Sequence, residues 1–88
     1  MTQKIGWILV EFDVDSSRKK WRIVGFGEKR KHRVVFEKVH SAKMYDGDGV
    51  FVEGVRPESV STNIRLSEVG GKRNAKYITK KQAMLEVM

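Results

Sequence analysis

At 88 residues, with 18 lysines and arginines against 11 aspartates and glutamates, the chain has a formal charge of +7 and is drawn to polyanions at a distance. It has no cysteine, and its 40% of hydrophobic residues includes two Trp and four Phe. This excludes a disulfide staple and a cysteine zinc site, and predicts one small domain, residues 1–88, folding on its own hydrophobic core. The longest apolar run, Trp7 to Val10, is far short of the roughly 20 residues that span a bilayer, and nothing resembles a signal peptide; the expectation is a soluble cytoplasmic protein.

Residues 5–14 alternate: Ile8, Val10, Phe12 and Val14 interleave with Trp7, Leu9, Glu11 and Asp13, the period of a strand with one buried face. A polar turn, Asp15 to Lys20, leads to a second strand over 21–26, making a hairpin. The next turn contains Gly25-Phe-Gly27 and runs to His32; its glycines are expected to supply positive φ in a hairpin. A third strand, 33–39, places Val34, Phe36 and Lys38 on one face and Val35, Glu37 and Val39 on the other. Residues 40–49 end in two Asp-Gly pairs, a turn signal, and strands follow over 50–55 and 64–69. At the C-terminus, Thr79-Lys-Lys-Gln82 has the form of a capping box, after which Ala83, Met84, Val87 and Met88 share one helical face; a start near Asn74 is the alternative. The predicted fold class is mainly β, a small curled antiparallel sheet or barrel of about five strands with a short C-terminal helix.

No catalytic or metal constellation emerges, and no cofactor is expected. The third glycine position of a dinucleotide fingerprint is occupied by Arg30, and Asp46-Gly-Asp-Gly49 lacks the later ligands of a calcium loop. His32 and His40, on one extended strand, would stand roughly 26 Å apart at ~3.3 Å per residue, too far to act on one phosphate. Each reads as a polar group at a strand end, and the chain as a non-enzyme.

Charge is more informative. Four basic groups lie at turns or element boundaries: Arg18, Lys19, Lys20 with Arg22; Lys29, Arg30, Lys31 with Arg33; Lys72, Arg73 with Lys76; and Lys80 with Lys81. Polar turns account for such clusters without function, but solubility needs either sign and these turns use one. In a meander the turns near 18–20 and 29–31 fall at opposite ends of the strands, so the clusters mark two ends of a track with Arg22 and Arg33 along it. Trp21 or Tyr77 would offer a stacking face, although core packing competes for Trp21 as it does for Trp7. Lys80 and Lys81 occupy the first turn of the helix and Glu86 its last, both of the wrong sign for the helix dipole, a conflict that a phosphate at the N-terminus would relieve. The expected function is nucleic-acid binding, DNA or RNA, through phosphate contacts with little sequence readout. The alternative is a protein-binding module or regulator, such as an inhibitor from a virus or mobile element. It would dock on an acidic surface or self-associate through the C-terminal helix, with Met44, Met84 and Met88 as adaptable apolar surface.

Overall fold

The computed structural model describes residues 4–14 and 18–88. Within them, six strands run β1 (Ile5–Val14), β2 (Lys19–Lys29), β3 (Arg33–Tyr45), β4 (Phe51–Val55), β5 (Asn63–Arg65) and β6 (Ala75–Ile78), followed by helix α1 (Lys80–Val87). Every pairing is antiparallel, in the order β4-β3-β2-β1-β6, with β5 on the other part of β3. The expected fold class holds: a mainly β chain whose sheet curls without closing, with one C-terminal helix.

Alternation makes β1 two-faced. Ile8 and Val10 enter the larger core with Ile23, Val34, Phe36, Val39, Ala42, Ile64, Leu66, Val69 and Ala75, while Leu9 points the other way to Val24 and Ala83. The fully buried Ile8, Val10, Val24 and Val34 each contribute about 1.5–3 kcal/mol in apolar burial. The inner core is closed by the 57–74 segment, in which three 3-10 turns flank β5. The outer core lies under α1, with Trp7, Ile78 and Val87 at its margin.

The third strand departs from its expected length and faces. It continues to Tyr45 and carries two bulges against β2, because Val24 pairs with Ser41 but Gly25 with Val39, and Phe26 pairs with Lys38 but Gly27 with Phe36. His40 and Glu37 are the extra residues. Each shifts the alternation by one, so the core-facing positions become Val34, Phe36, Val39 and Ala42 instead of a strict period of two. Gly25 and Gly27 are likewise not turn glycines; they lie within β2, and the positive-φ glycines among the described residues are Gly49, Gly70 and Gly71. A Cβ at Gly25 would meet the Phe36 ring at 2.5 Å, and one at Gly27 would meet the Val35 carbonyl oxygen at 2.1 Å. Close approach of two backbones at the bulges is what requires glycine there.

Two other segments differ from expectation. Residues 64–69 form only the end of a three-residue strand before turning into a 3-10 segment, Leu66–Val69, capped by Gly70 at φ 91°. Residues 75–78 add β6, paired to β1 with Ala75 opposite Val10 and Ile78 opposite Trp7. At four residues, with Lys76 inside it and the Thr79 cap directly after it, β6 has too little sequence for its period to register.

The capping box is present. Thr79 Oγ1 accepts from the Gln82 amide at 3.1 Å, and the Gln82 side chain accepts from the Thr79 amide at 3.0 Å. Thr79→Ala is expected to cost about 1 kcal/mol, read as a lower urea midpoint with an unchanged m-value. The helix buries Ala83 and half-buries Val87; Met84 and Met88 lie exposed, with Leu85. Its C-terminal end is corrected from the sheet. Arg22 holds Glu86 at 2.6 Å, and Lys43 Nζ donates to the carbonyls of Val87 and Met88, placing cations where the dipole is negative.

Candidate nucleic-acid interface

Strand register places each expected cation. The Val14 end of β1, the Lys19 end of β2 and the β3–β4 turn share one end of the sheet, while the β2–β3 turn, residues 30–32, occupies the other; residues 15–17 of the expected Asp15 to Lys20 turn lie outside the described residues. Arg18, Lys19, Lys20 and Arg22 line a groove of about 880 Å³ at the first end, together with Glu11, Asp13, Asp46 and Asp48. Four carboxylates offset four cations, which leaves little net field for a polyanion. Arg22 is further committed, lying between Glu11 at 3.2 Å and Glu86 at 2.6 Å. Its Nε–H is angled away from hydrogen-bond geometry with Glu11, making that contact an ion pair.

At the opposite end the balance differs. Lys29 closes β2, Arg30 and Lys31 lie in the turn, and Arg33 opens β3, where it stands directly opposite Arg65 of β5. Arg30 is paired with Glu28. Arg33 reaches Asn63 Oδ1 only at 3.5 Å, and among the described residues no ion pair forms at Arg33, Arg65 or Lys31. The turn is stitched by the backbone: the Arg30 amide donates to the Arg33 carbonyl at 2.8 Å, and the Leu66 amide to the His32 carbonyl at 2.9 Å. Ile5 pairs with Glu28, so Lys4 joins this end. The chain leaves β6 at Ile78, opposite Trp7, and α1 begins two residues later with exposed Lys80 and Lys81, toward the same end. By sequence the nearby carboxylates are Glu28, already bound, Glu37, four residues after Arg33, and Glu68, in the turn after Arg65.

Lys72 and Arg73 do not join this group. They occupy an exposed 3-10 turn that leads into Ala75, opposite Val10, five residues along β1 from Ile5; Lys76 is exposed on the same edge strand. The expected aromatic platforms are occupied. Trp21 stands opposite Phe12 and Met44 and packs half-buried on the inner core. Tyr77 also packs there; its hydroxyl accepts from the Lys29 amide and donates to the Lys4 carbonyl, and Lys4 Nζ lies 4.6 Å from its ring centre. Trp7 packs edge-on against Phe26 and lies 4.8 Å from the His40 ring.

Arg65 and Lys4 were not among the expected contacts. Neither belongs to a cationic run, and only the pairing of β5 with β3 and of β1 with β2 brings them to this end.

His40 is a half-buried residue within β3, not at a strand end. Burial, helped by the neighbouring Lys38 charge, holds its imidazole below the usual value of 6.5. The unfolded chain then binds more protons than the folded one just below pH 6.5, so stability is complete above that value and falls as pH drops through the lowered one. Urea midpoints between pH 7.5 and 5.5 should show this decline, and His40→Gln should flatten it.

Against known proteins, the chain matches no family model, no curated protein sequence and no solved structure. Among the described residues no helix is long and apolar enough to cross a membrane.

Proposed function

We propose that the protein is a non-enzymatic, cytoplasmic nucleic-acid-binding protein that grips phosphates at the 30–32 end of its sheet. The observation that carries this reading is the register of Arg33 opposite Arg65. Like charges directly across a strand pair are destabilising, and an anion between them offsets that repulsion. Lys4, Lys29, Lys31, Lys80 and Lys81 extend the same charge around it. With Trp7, Trp21 and Tyr77 engaged internally, binding depends on phosphate charge and little on base sequence.

The test is a titration of labelled duplex DNA, single-stranded DNA and RNA at several salt concentrations. Binding should weaken steeply with salt and vary little with sequence; dissociation constants all weaker than ~100 μM at low salt would sink the proposal.

A second reading, a module that docks on an acidic protein surface, is favoured by the exposure of Met84, Leu85 and Met88 along α1. It gains if charge reversal at Lys80 and Lys81 leaves nucleic-acid affinity unchanged while a nuclease-treated lysate still yields a partner dependent on Met84 and Met88.

A further inference from the structure

The two edges of the sheet carry opposite charge. β4 ends the strand order on one side and β6 on the other. Around the β4 edge, residues 46–58 hold Asp46, Asp48, Glu53 and Glu58 against Arg56 alone; around the β6 edge, residues 69–85 hold Lys72, Arg73, Lys76, Lys80 and Lys81 and no carboxylate. All five of these cations are exposed, and among the described residues none forms an ion pair, although Glu68 lies in the preceding 3-10 turn. Lys72 and Arg73 stand on a braced turn. The Gly71 amide donates to the Leu66 carbonyl at 2.8 Å, the Asn74 amide to the Gly71 carbonyl at 3.1 Å, and the Asn74 side chain to the Val69 carbonyl. Lys76, opposite Leu9, lies on the α1 side of the sheet.

β6 leads from there into the basic end. The Tyr77 hydroxyl accepts from the Lys29 amide and donates to the Lys4 carbonyl, which ties the strand to that end, and Lys80 and Lys81 follow at once. The edge, from Ala75 opposite Val10 down to the level of Ile5, runs about 17 Å at ~3.3 Å per residue. The end then crosses from β6 through β1, β2 and β3 to β5, about 19 Å at ~4.8 Å per strand spacing. One course follows the strands and the other crosses them, so the cations turn a corner.

We propose, on the reading of the 30–32 end as a phosphate contact, that the β6 edge is a second phosphate-contacting surface, and that its ligand is a single strand of DNA or RNA rounding the corner from Lys72, Arg73 and Lys76 to Arg33 and Arg65. Duplex DNA, with a persistence length of about 150 base pairs, stays straight over such a distance. It lies against the end, where cations are most numerous, and leaves the edge free. A single strand bends with the surface and pairs its phosphates with both. The acidic β4 edge repels either ligand, which orients the protein on it.

The experiment titrates the 88-residue chain with labelled single strands of about 4 and about 16 nucleotides and with a duplex of about 16 base pairs. Lys72→Gln, Arg73→Gln and Lys76→Gln together should weaken binding of the longer single strand about a hundredfold at ~0.1 M salt and lower its salt slope by about 2, since each single-strand phosphate contact contributes about 0.7. The short strand and the duplex should change less than about tenfold, the screened effect of lost net charge alone; retained duplex binding also reports a folded variant. Removing equal charge with Arg18→Gln, Lys19→Gln and Lys20→Gln should likewise change the longer strand's affinity less than about tenfold. Unchanged binding of the longer strand by the Lys72, Arg73 and Lys76 variant overturns the proposal and leaves the basic end in place. So does equal weakening of duplex and single strand, or a loss matched by the Arg18, Lys19 and Lys20 variant. A parent that binds none of the three ligands overturns the reading of the basic end and this proposal with it.

Discussion

Replacing Arg33 and Arg65 together with alanine should lower affinity for duplex DNA about sixtyfold at 0.1 M salt, and reduce the slope of log affinity against log salt by about 1.8. The figure follows from counterion release. Each phosphate neutralised contributes a slope of about 0.9, so one contact is worth about eightfold at 0.1 M salt and two about sixtyfold. The same double variant should be as stable as the parent or slightly more so, because two like charges at directly opposed positions of β3 and β5, neither with a carboxylate partner, are removed. Weaker binding with undiminished stability separates a contact residue from a structural one. Arg22→Ala should do the reverse, since its guanidinium is shared by Glu11 and Glu86 and holds α1 to the sheet. Charge substitutions at Lys19 and Lys20 should have smaller effects on binding than those at Arg33 and Arg65, because Asp13, Asp46 and Asp48 line the same groove. If the Arg33 and Arg65 variant binds as tightly as the parent, the basic end is not the contact surface.

Gly27→Ala is the substitution expected to damage folding most. The new Cβ would lie 2.1 Å from the Val35 carbonyl oxygen and 2.6 Å from Phe36 Cα, both backbone atoms that no rotamer change can move. Relief requires β2 and β3 to separate at the bulge, which breaks ladder hydrogen bonds and loosens Phe36 in the core. Overpacking of this kind costs about 3 kcal/mol, a large part of the ~5–15 kcal/mol that stabilises a typical domain. In a chain this size each kcal/mol lowers the melting temperature by roughly 4–8 °C, so a fall of about 15 °C is expected. Gly6→Ala is the control: its Cβ would touch only the Tyr77 ring at 3.5 Å, an ordinary contact. Equal melting temperatures for the two variants would show that the bulge can open without cost.

What was legible in the sequence was what local patterning determines. The alternation of Ile8 and Val10 with Leu9 marks β1 as a strand with a buried face, and the Thr79 and Gln82 pair marks the helix start; both are encoded within a few consecutive residues. The bulges at Glu37 and His40 are not encoded that way. Val34 to Val39 reads as simple alternation until β2 is laid beside it, and only the two glycines of β2 hint that the neighbouring backbone comes close. The candidate site divides in the same manner. Lys29, Arg30, Lys31 and Arg33 are visible as a run, while Arg65, 32 residues later, reaches Arg33 only through β5. Conversely, Arg22 stands among cations in sequence and between carboxylates in space, and Trp21 starts a strand as an apparent platform but faces the core.

The docking of α1 also fixes what can be learned from its amide protons. An eight-residue helix is too short to persist in water by itself, so whatever protects its amides from exchange comes from Leu9, Val24, Arg22 and Lys43 beneath it. Exchange at Met84 and Val87 therefore gauges how often the helix lifts from the sheet, on a scale separate from the opening of the strands. Each lifting would wet the outer core and release Arg22 from Glu86 and Lys43 from the carbonyls of Val87 and Met88, so the molecule's exposed positive charge is a property of its motions as well as of its composition.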